Sequence, residues 1–180
     1  PVMLFNRIVP GTHASTVSSD NFSGGQRIGR FLLRGGHERI AYIAGQEESS
    51  TNQDRESGFL SALNEVKVKC WQREVGNYHF EEAAEATRRL MSASEIPDAI
   101  FVASDAMAIS VIDTLRNEHN MQIPDDISVV GYDNIPQAAW AAYSLTTMEQ
   151  QFTAMIRIAV QTLLRQIQAG QVTSESFVLP

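Results

Sequence analysis

Asp133 and Asn134 stand directly after the apolar stretch 127–130, separated from it only by Gly131 and Tyr132. A carboxylate and an amide at the tail of a buried strand are placed to bind something rather than to fill a core. Similar side chains follow other apolar runs. Asn6 and Arg7 come after "VMLF", and Ser49, Ser50 and Thr51 after "RIAYIAG", with Arg55 one helical turn further on. Asn77 and Tyr78 follow a weaker apolar run, Ser104 and Asp105 follow "AIFVA", and Glu149 and Gln150 end "SLTTMEQ". Amides, hydroxyls, a guanidinium and a carboxylate, with an aromatic face from Tyr78 or Trp140, match what a sugar or nucleoside offers: many hydroxyls and an apolar ring face. Asp133 and Arg55 would be the strongest partners, because ionised groups make the stronger hydrogen bonds. Each residue also has a purely structural reading. Asp133 can begin a turn with Asn134, Ser104 and Asp105 are helix-cap chemistry, Thr51 can cap, Arg55 can lie on a helix surface, and Tyr78 can pack in a loop.

The elements that would hold these residues alternate. Strands are expected over 2–5, 16–19, 39–45, 69–75, 99–104, 127–133 and 144–150, with a last one in "SFVLP". Between them helical spacing predicts helices over 22–34, about 51–66, 80–92, 105–119 and 152–169. The first should present Ile28, Phe31 and Leu32 on one face, capped by Asp20 or Asn21; the second should be capped by Ser50, Thr51 or Asn52. Strands alternating with helices of ten to fifteen residues mean βαβ units: an α/β, doubly wound parallel sheet covered by helices on both faces. Ligands on such sheets bind beyond the carboxyl ends of the strands, where the polar residues above stand.

The totals exclude several functions. A net charge of −7 over 180 residues argues against this stretch holding DNA or an anionic membrane by bulk electrostatics. No apolar run reaches the roughly 18 residues of a membrane helix. One cysteine, Cys70, allows no internal disulfide and fits a reducing compartment. The four histidines lack metal-ligand spacing, and there is no phosphate-cradle, nucleotide-fingerprint, zinc-protease or nucleophile-elbow motif, so no enzyme and no cofactor is expected. The absence of an initiator Met and the abrupt "SFVLP" end suggest a piece of a longer protein.

Read in order, "PVMLFNR", "VSSDNFSGG", "GHERIAYIAG", "SSTNQDRESGF", "FVASDAMAISVIDTLR", "IPDDISVVGYDN" and "SLTTMEQ" resemble the LacI/GalR family of bacterial transcription regulators over essentially the whole chain. The resemblance implies the core of such a regulator, a periplasmic-binding-protein-like unit of two subdomains with a small-molecule effector in the cleft between them. Operator DNA would be read only by an N-terminal domain absent from this chain, in a cytoplasmic homodimer without membrane contact. It implies that residues 1–17 and 151–176 belong to the N-terminal subdomain, 18–150 to the C-terminal subdomain, and 177–180 to the last strand of the latter, with crossings near 17–19, 150–151 and 176–178.

The same resemblance places ligand contacts at Asn6, Ser49, Thr51, Arg55, Tyr78, Ser104, Asp133 and Gln150. Many relatives carry Asp in place of Asn6 and Asn or Asp in place of Ser104, which leaves the effector open between a sugar, the first choice, and a nucleobase. Dimer contacts would come from Ala108, Ile109 and Ile112, whose other reading is that they face the sheet. The apolar face of helix 152–169 would pack on a part of the subdomain missing here, so this helix is expected to be poorly ordered or to re-pack on a second copy. The alternative function is a periplasmic sugar-binding component of a transporter, which shares the fold.

Overall fold

The computed structural model describes residues 1–180 and contains two parallel sheets. The larger has five strands in the order β4(Arg73–Val75), β3(Ile40–Ala44), β5(Ala99–Val102), β6(Ser128–Asp133), β7(Thr146–Glu149). The smaller has three, in the order β1(Met3–Phe5), β2(Ser15–Ser19), β8(Ser176–Leu179). The helices α1(Asn21–Arg34), α2(Ser50–Glu65), α3(Phe80–Met91) and α4(Asp105–His119) connect strands of the larger sheet or lead into it, and α5(Phe152–Ala169) lies on the smaller. The strand–helix alternation is the one the sequence predicts: α2, α3 and α4 carry the chain between parallel strands of the larger sheet, whereas β6 reaches β7 through a short 3₁₀ turn at Pro136–Ala139 and β1 reaches β2 through a loop.

β3 and β5 are buried throughout, as central strands covered on both faces must be. Their core holds three mutually tilted aromatic rings, Tyr42, Phe59 and Phe101, with centroids 5.1 to 5.6 Å apart. The one polar atom of that cluster is satisfied: the Tyr42 hydroxyl donates to Asn52 Oδ1 at 2.9 Å, which also accepts the Gly45 amide at 2.7 Å. The polar part of "GHERI" is a clip at the entry of the sheet. Asp98 Oδ2 accepts the amides of Glu38 and Arg39, and Asp98 Oδ1 lies 3.4 Å from His37 Nδ1. That carboxylate ties the start of β3 to the start of β5.

Of the two caps expected for α1, Asp20 is the one used, accepting the Ser23 amide at 2.9 Å. Other expectations need correction. Phe31 is 49% exposed, because the buried face of α1 runs through Asn21, Gly24, Gly25, Ile28, Gly29 and Leu32. α2 begins one residue early, with Ser49 at its cap position. β4 is confined to three residues, and β5 stops at Val102 because Ser104 turns the chain into α4. The segment expected as a last strand of the larger unit, 177–180, does not join the larger sheet. β8 pairs with β2 from Thr16↔Ser176 to Ser19↔Leu179, so the small sheet keeps both strands to their ends. Nor does α5 lack support: Met155 and Ala159 pack with Val17 and Leu179 on the small sheet. Its opposite stripe, Ile156, Val160, Leu164 and Ile167, is exposed.

The closest helix pairing, α1 against α2, depends on glycine. A Cβ on Gly25 would collide with the Arg55 carbonyl, and one on Gly58 with the Phe22 carbonyl; both obstacles are backbone. Gly25→Ala and Gly58→Ala should therefore each push the helices apart and cost about 1–3 kcal/mol, the range for overpacking a filled contact. Urea unfolding of the two variants measures this, and equal stability to wild type would show that the helices yield freely.

Candidate functional site

The ends of the strands are where the backbone is bent. Asn6 after β1, Asn77 and Tyr78 after β4, and Asp133 with Asn134 at the end of β6 all have positive φ, at 51°, 51°, 62°, 120° and 55°. Non-glycine residues hold such angles only when their surroundings over-determine them, and they concentrate at binding sites. Four of the five are Asn or Asp, the types that tolerate the left-handed region best.

Arg55 is not a surface residue. It lies on the buried face of α2 with 2% of its area exposed. Its Nε donates to Asn21 Oδ1 at 2.8 Å, one terminal nitrogen donates to the Ala103 carbonyl at 2.5 Å, and the other lies 3.5 Å from Asp133 Oδ1. The guanidinium plane covers the Tyr132 ring at 3.8 Å. Asn21 is held in turn by donating to Ser18 Oγ and the Ser19 carbonyl. One cation is thus fixed by α1, by the end of β5 and by the end of β6.

Asp133 is the next link. Its Oδ1 also accepts from Gln150 Nε2 at 2.5 Å, and Gln150 Oε1 accepts from Ser19 Oγ at 3.0 Å. The chain Arg55–Asp133–Gln150–Ser19 runs from the larger sheet through the end of β7 to the last residue of β2, in the smaller sheet. A second crossing joins the Ile8 amide to Ser50 Oγ at 2.9 Å. Between the sheets, Asp133, Asn134, Gln150, Phe152 and Arg157 line an open cavity of about 610 Å³, in the range of small-ligand sites. Phe152 is stacked on Phe5 at 6.2 Å.

The remaining residues named from sequence are placed differently. Ser49 and Thr51 are buried, their hydroxyls 2.8 Å apart and bonded to each other. Ser104 is buried and caps α4, accepting the Met107 amide at 3.4 Å. Asn6 and Tyr78 carry buried side-chain oxygens, Oδ1 and the hydroxyl, that have no hydrogen-bond partner in the chain. The Tyr78 ring lies against Gly45 at the end of β3, where any Cβ would strike it. Trp140 is 54% exposed and lines no part of the cavity; Phe152 supplies the aromatic face there. Of the dimer candidates, Ala108 and Ile112 lie in the core, 0% and 1% exposed, because they fall on the sheet-facing stripe of α4; Ile109 alone keeps partial exposure. Sequence reading passed over Asn21, Phe152 and Arg157. Asn21 was read only as a cap, and nothing local marks a polar residue as the partner of an arginine 34 positions away.

Burial pushes the Asp133 carboxyl up to about 6, against the pull of the Arg55 guanidinium and the Gln150 amide; the neighbouring Asp105 adds to the rise. An unfolded Asp titrates near 3.9. The folded state therefore binds the extra proton between about pH 4 and about pH 6, and the stability this group supplies below pH 4 is lost as pH rises through 6. The stability of the wild type relative to Asp133→Asn should fall by up to ~3 kcal/mol between about pH 4 and about pH 7. Urea unfolding of both proteins across that range tests this, and a flat difference would contradict it.

The chain matches the family model for the periplasmic binding protein-like domain over residues 30–180. It is 33% identical over 168 residues to the HTH-type transcriptional repressor PurR of Erwinia tasmaniensis, an alignment covering 92% of this chain and 49% of the repressor. The chain thus spans about half the length of the curated relatives it matches. Among solved structures, the transcriptional regulator CelR–cellobiose complex superposes with a TM-score of 0.90 at 29% identity, covering 99% of this chain and 56% of that one. A LacI family transcriptional regulator from Enterococcus faecium with bound ribose gives 0.89 at 26% identity, covering 100% and 66%. The parallel two-sheet architecture, the polar strand ends and these likenesses agree with the motifs that resemble LacI-type regulators: the chain belongs to the periplasmic-binding-protein-like domain family.

Proposed function

We propose that this chain is the effector-binding part of a bacterial DNA-binding transcriptional regulator. It would sense a small polyhydroxylated metabolite, a sugar before a nucleobase, in the cleft between its two sheets. The observation that carries this reading is the relay Arg55–Asp133–Gln150–Ser19, which crosses from one sheet to the other at the cavity. A ligand that takes over these hydrogen bonds touches both lobes at once. The charges are balanced, Asp133 against Arg55, so the site suits a neutral molecule. Asn6 and Tyr78 do not line the cavity itself, but each keeps a buried oxygen without a partner at a strand end, Asn6 Oδ1 able to accept and the Tyr78 hydroxyl able to donate or accept. Phe152 offers an apolar face for the side of a sugar ring.

The likeness to repressors favours a regulator over the transporter component. A sugar is favoured by the bound cellobiose and ribose of the two structural neighbours. In this reading the small sheet with α5 is one lobe and the large sheet with α1 to α4 the other. The effector favours the closed arrangement in proportion to its differential affinity for the two states. Closure would alter the geometry of a cytoplasmic homodimer, in which Ile109 is the contact left by the burial of Ala108 and Ile112. DNA would be read by a separate domain. No catalytic step is assigned to the chain, and no helix is long and apolar enough to cross a membrane.

Thermal-shift measurements against a panel of sugars and nucleobases, with D-ribose and cellobiose among them, test the proposal. A ligand at a hundred times its dissociation constant stabilises the folded state by about 2.7 kcal/mol, which raises the melting temperature by roughly 5–10 °C in a chain of this size. Arg55→Ala and Asp133→Ala should abolish the rise. A full rise in both variants would remove these residues from the site.

A further inference from the structure

Asp105 is a carboxylate with no exposed surface, and nothing in the effector reading uses it. It stands in the first turn of α4, yet it reaches past its own helix. Its Oδ1 accepts from Thr147 Oγ1 at 2.6 Å and its Oδ2 from the Ile135 amide at 2.9 Å. Thr147 Oγ1, so engaged, also accepts the Asn134 amide at 3.3 Å. The bonds bracket the left-handed pair Asp133 and Asn134: one lands on the residue after the turn, the other on the strand paired with β6, where Gly131 stands opposite Thr147 and Asp133 opposite Glu149. Gly131 completes the arrangement, since a Cβ there would run into Asp105 Oδ1. The glycine that interrupts the strand ahead of Tyr132 and Asp133 thereby leaves space for a carboxylate from another element.

Resting on the effector reading for its consequence but not for its test, we propose that Asp105 is the positioning residue of the binding site. It fixes the turn at Asp133 and Asn134 from behind, and so aims the Asp133 carboxylate at Arg55, Gln150 and the ligand without touching the ligand. A helix-cap role does not account for this geometry. The α4 cap is Ser104, whose hydroxyl accepts the Met107 amide, and neither Asp105 oxygen is bonded to an amide of α4. Burial pushes the Asp105 carboxyl up, while the bonds from Thr147 and from the Ile135, Asn134 and Tyr132 amides pull it down. The side chain needs those donors, and the turn needs its acceptors. Asparagine is a weaker replacement: with its oxygen toward the Ile135 amide it turns Nδ2 toward Thr147 Oγ1, which must then accept, and both charge-assisted bonds are lost.

The test is nuclear magnetic resonance of the chain with Asp105→Asn and, separately, Thr147→Val. Three readouts are needed: the titration midpoint of the Asp133 carboxyl, amide exchange at Asn134 and Ile135, and amide exchange at Met107 and Ala108. Positioning predicts that Asp105→Asn speeds exchange at Asn134 and Ile135 at least tenfold. Loss of the Asp105 charge by itself lowers the Asp133 midpoint from about 6, so the midpoint counts for positioning only where Thr147→Val, which keeps that charge, lowers it as well. Met107 and Ala108 should be unaffected, and Thr147→Val should show the same changes at smaller size. The proposal is overturned if the Asp133 midpoint and the turn amides stay at wild-type values, or if protection is lost at Met107 and Ala108 instead, which would make Asp105 a support for the start of α4. Should Asp105→Asn not fold, Thr147→Val decides by the same criteria. None of these readouts needs an effector, so a wrong effector assignment and a wrong role for Asp105 give separate results.

Discussion

A buried guanidinium is the constraint on which the rest of this structure depends. Removing Arg55 from water without partners would cost several kcal/mol, far more than one ordinary contact returns. The fold meets that requirement with an amide from α1, a carbonyl from the end of β5, a carboxylate from the end of β6 and the face of Tyr132. The partners come from three elements, α1, the end of β5 and the end of β6, so each must arrive in the right place for the charge to be tolerated. The glycine seam between α1 and α2 serves this end, bringing Asn21 within 2.8 Å of the arginine. Helix packing and site electrostatics are one problem here.

The same economy explains why the polar strand ends are strained and partly unsatisfied. Asp133 is held in a left-handed turn and kept desolvated enough that burial outweighs the attraction of Arg55. Gln150 spends its amide on Asp133 and its carbonyl on Ser19, which makes it a mechanical link between the sheets as well as a polar group facing the cavity. Asn6 and Tyr78 keep buried oxygens without partners. In the proposed reading, a ligand with several hydroxyls would supply the partners that these groups lack. A population shift in that reading would draw on the effector's differential affinity for the two states, to which new hydrogen bonds, relief of strain and entropy all contribute.

Much of this was legible from the order of residue types. Polar residues after apolar runs located Asp133, Gln150 and Ser104 at strand ends, and the spacing from Ser49 to Arg55 put the arginine one turn into a helix. Two kinds of residue escaped. Asn21 and Asp105 look like helix starts in sequence, yet their side chains act on segments 34 and 30 to 42 positions away. Ala108 and Ile112 look like a surface stripe as readily as a core stripe, because α4 is apolar on more than one side, and only packing on the sheet separates the two.

The sequence by itself determined the alternation of strands and helices, hence a parallel sheet, and the presence of polar chemistry at the strand ends. Both follow from short-range rules: side-chain periodicity along one segment and turn residues at its close. Tertiary structure alone decided which of those polar groups face one another, that β8 joins the small sheet, and that Arg55 lies inside. Pairing and burial are properties of segments brought together across tens of residues. Their energies depend on what each charge loses to water and regains from its neighbours, which no single segment contains.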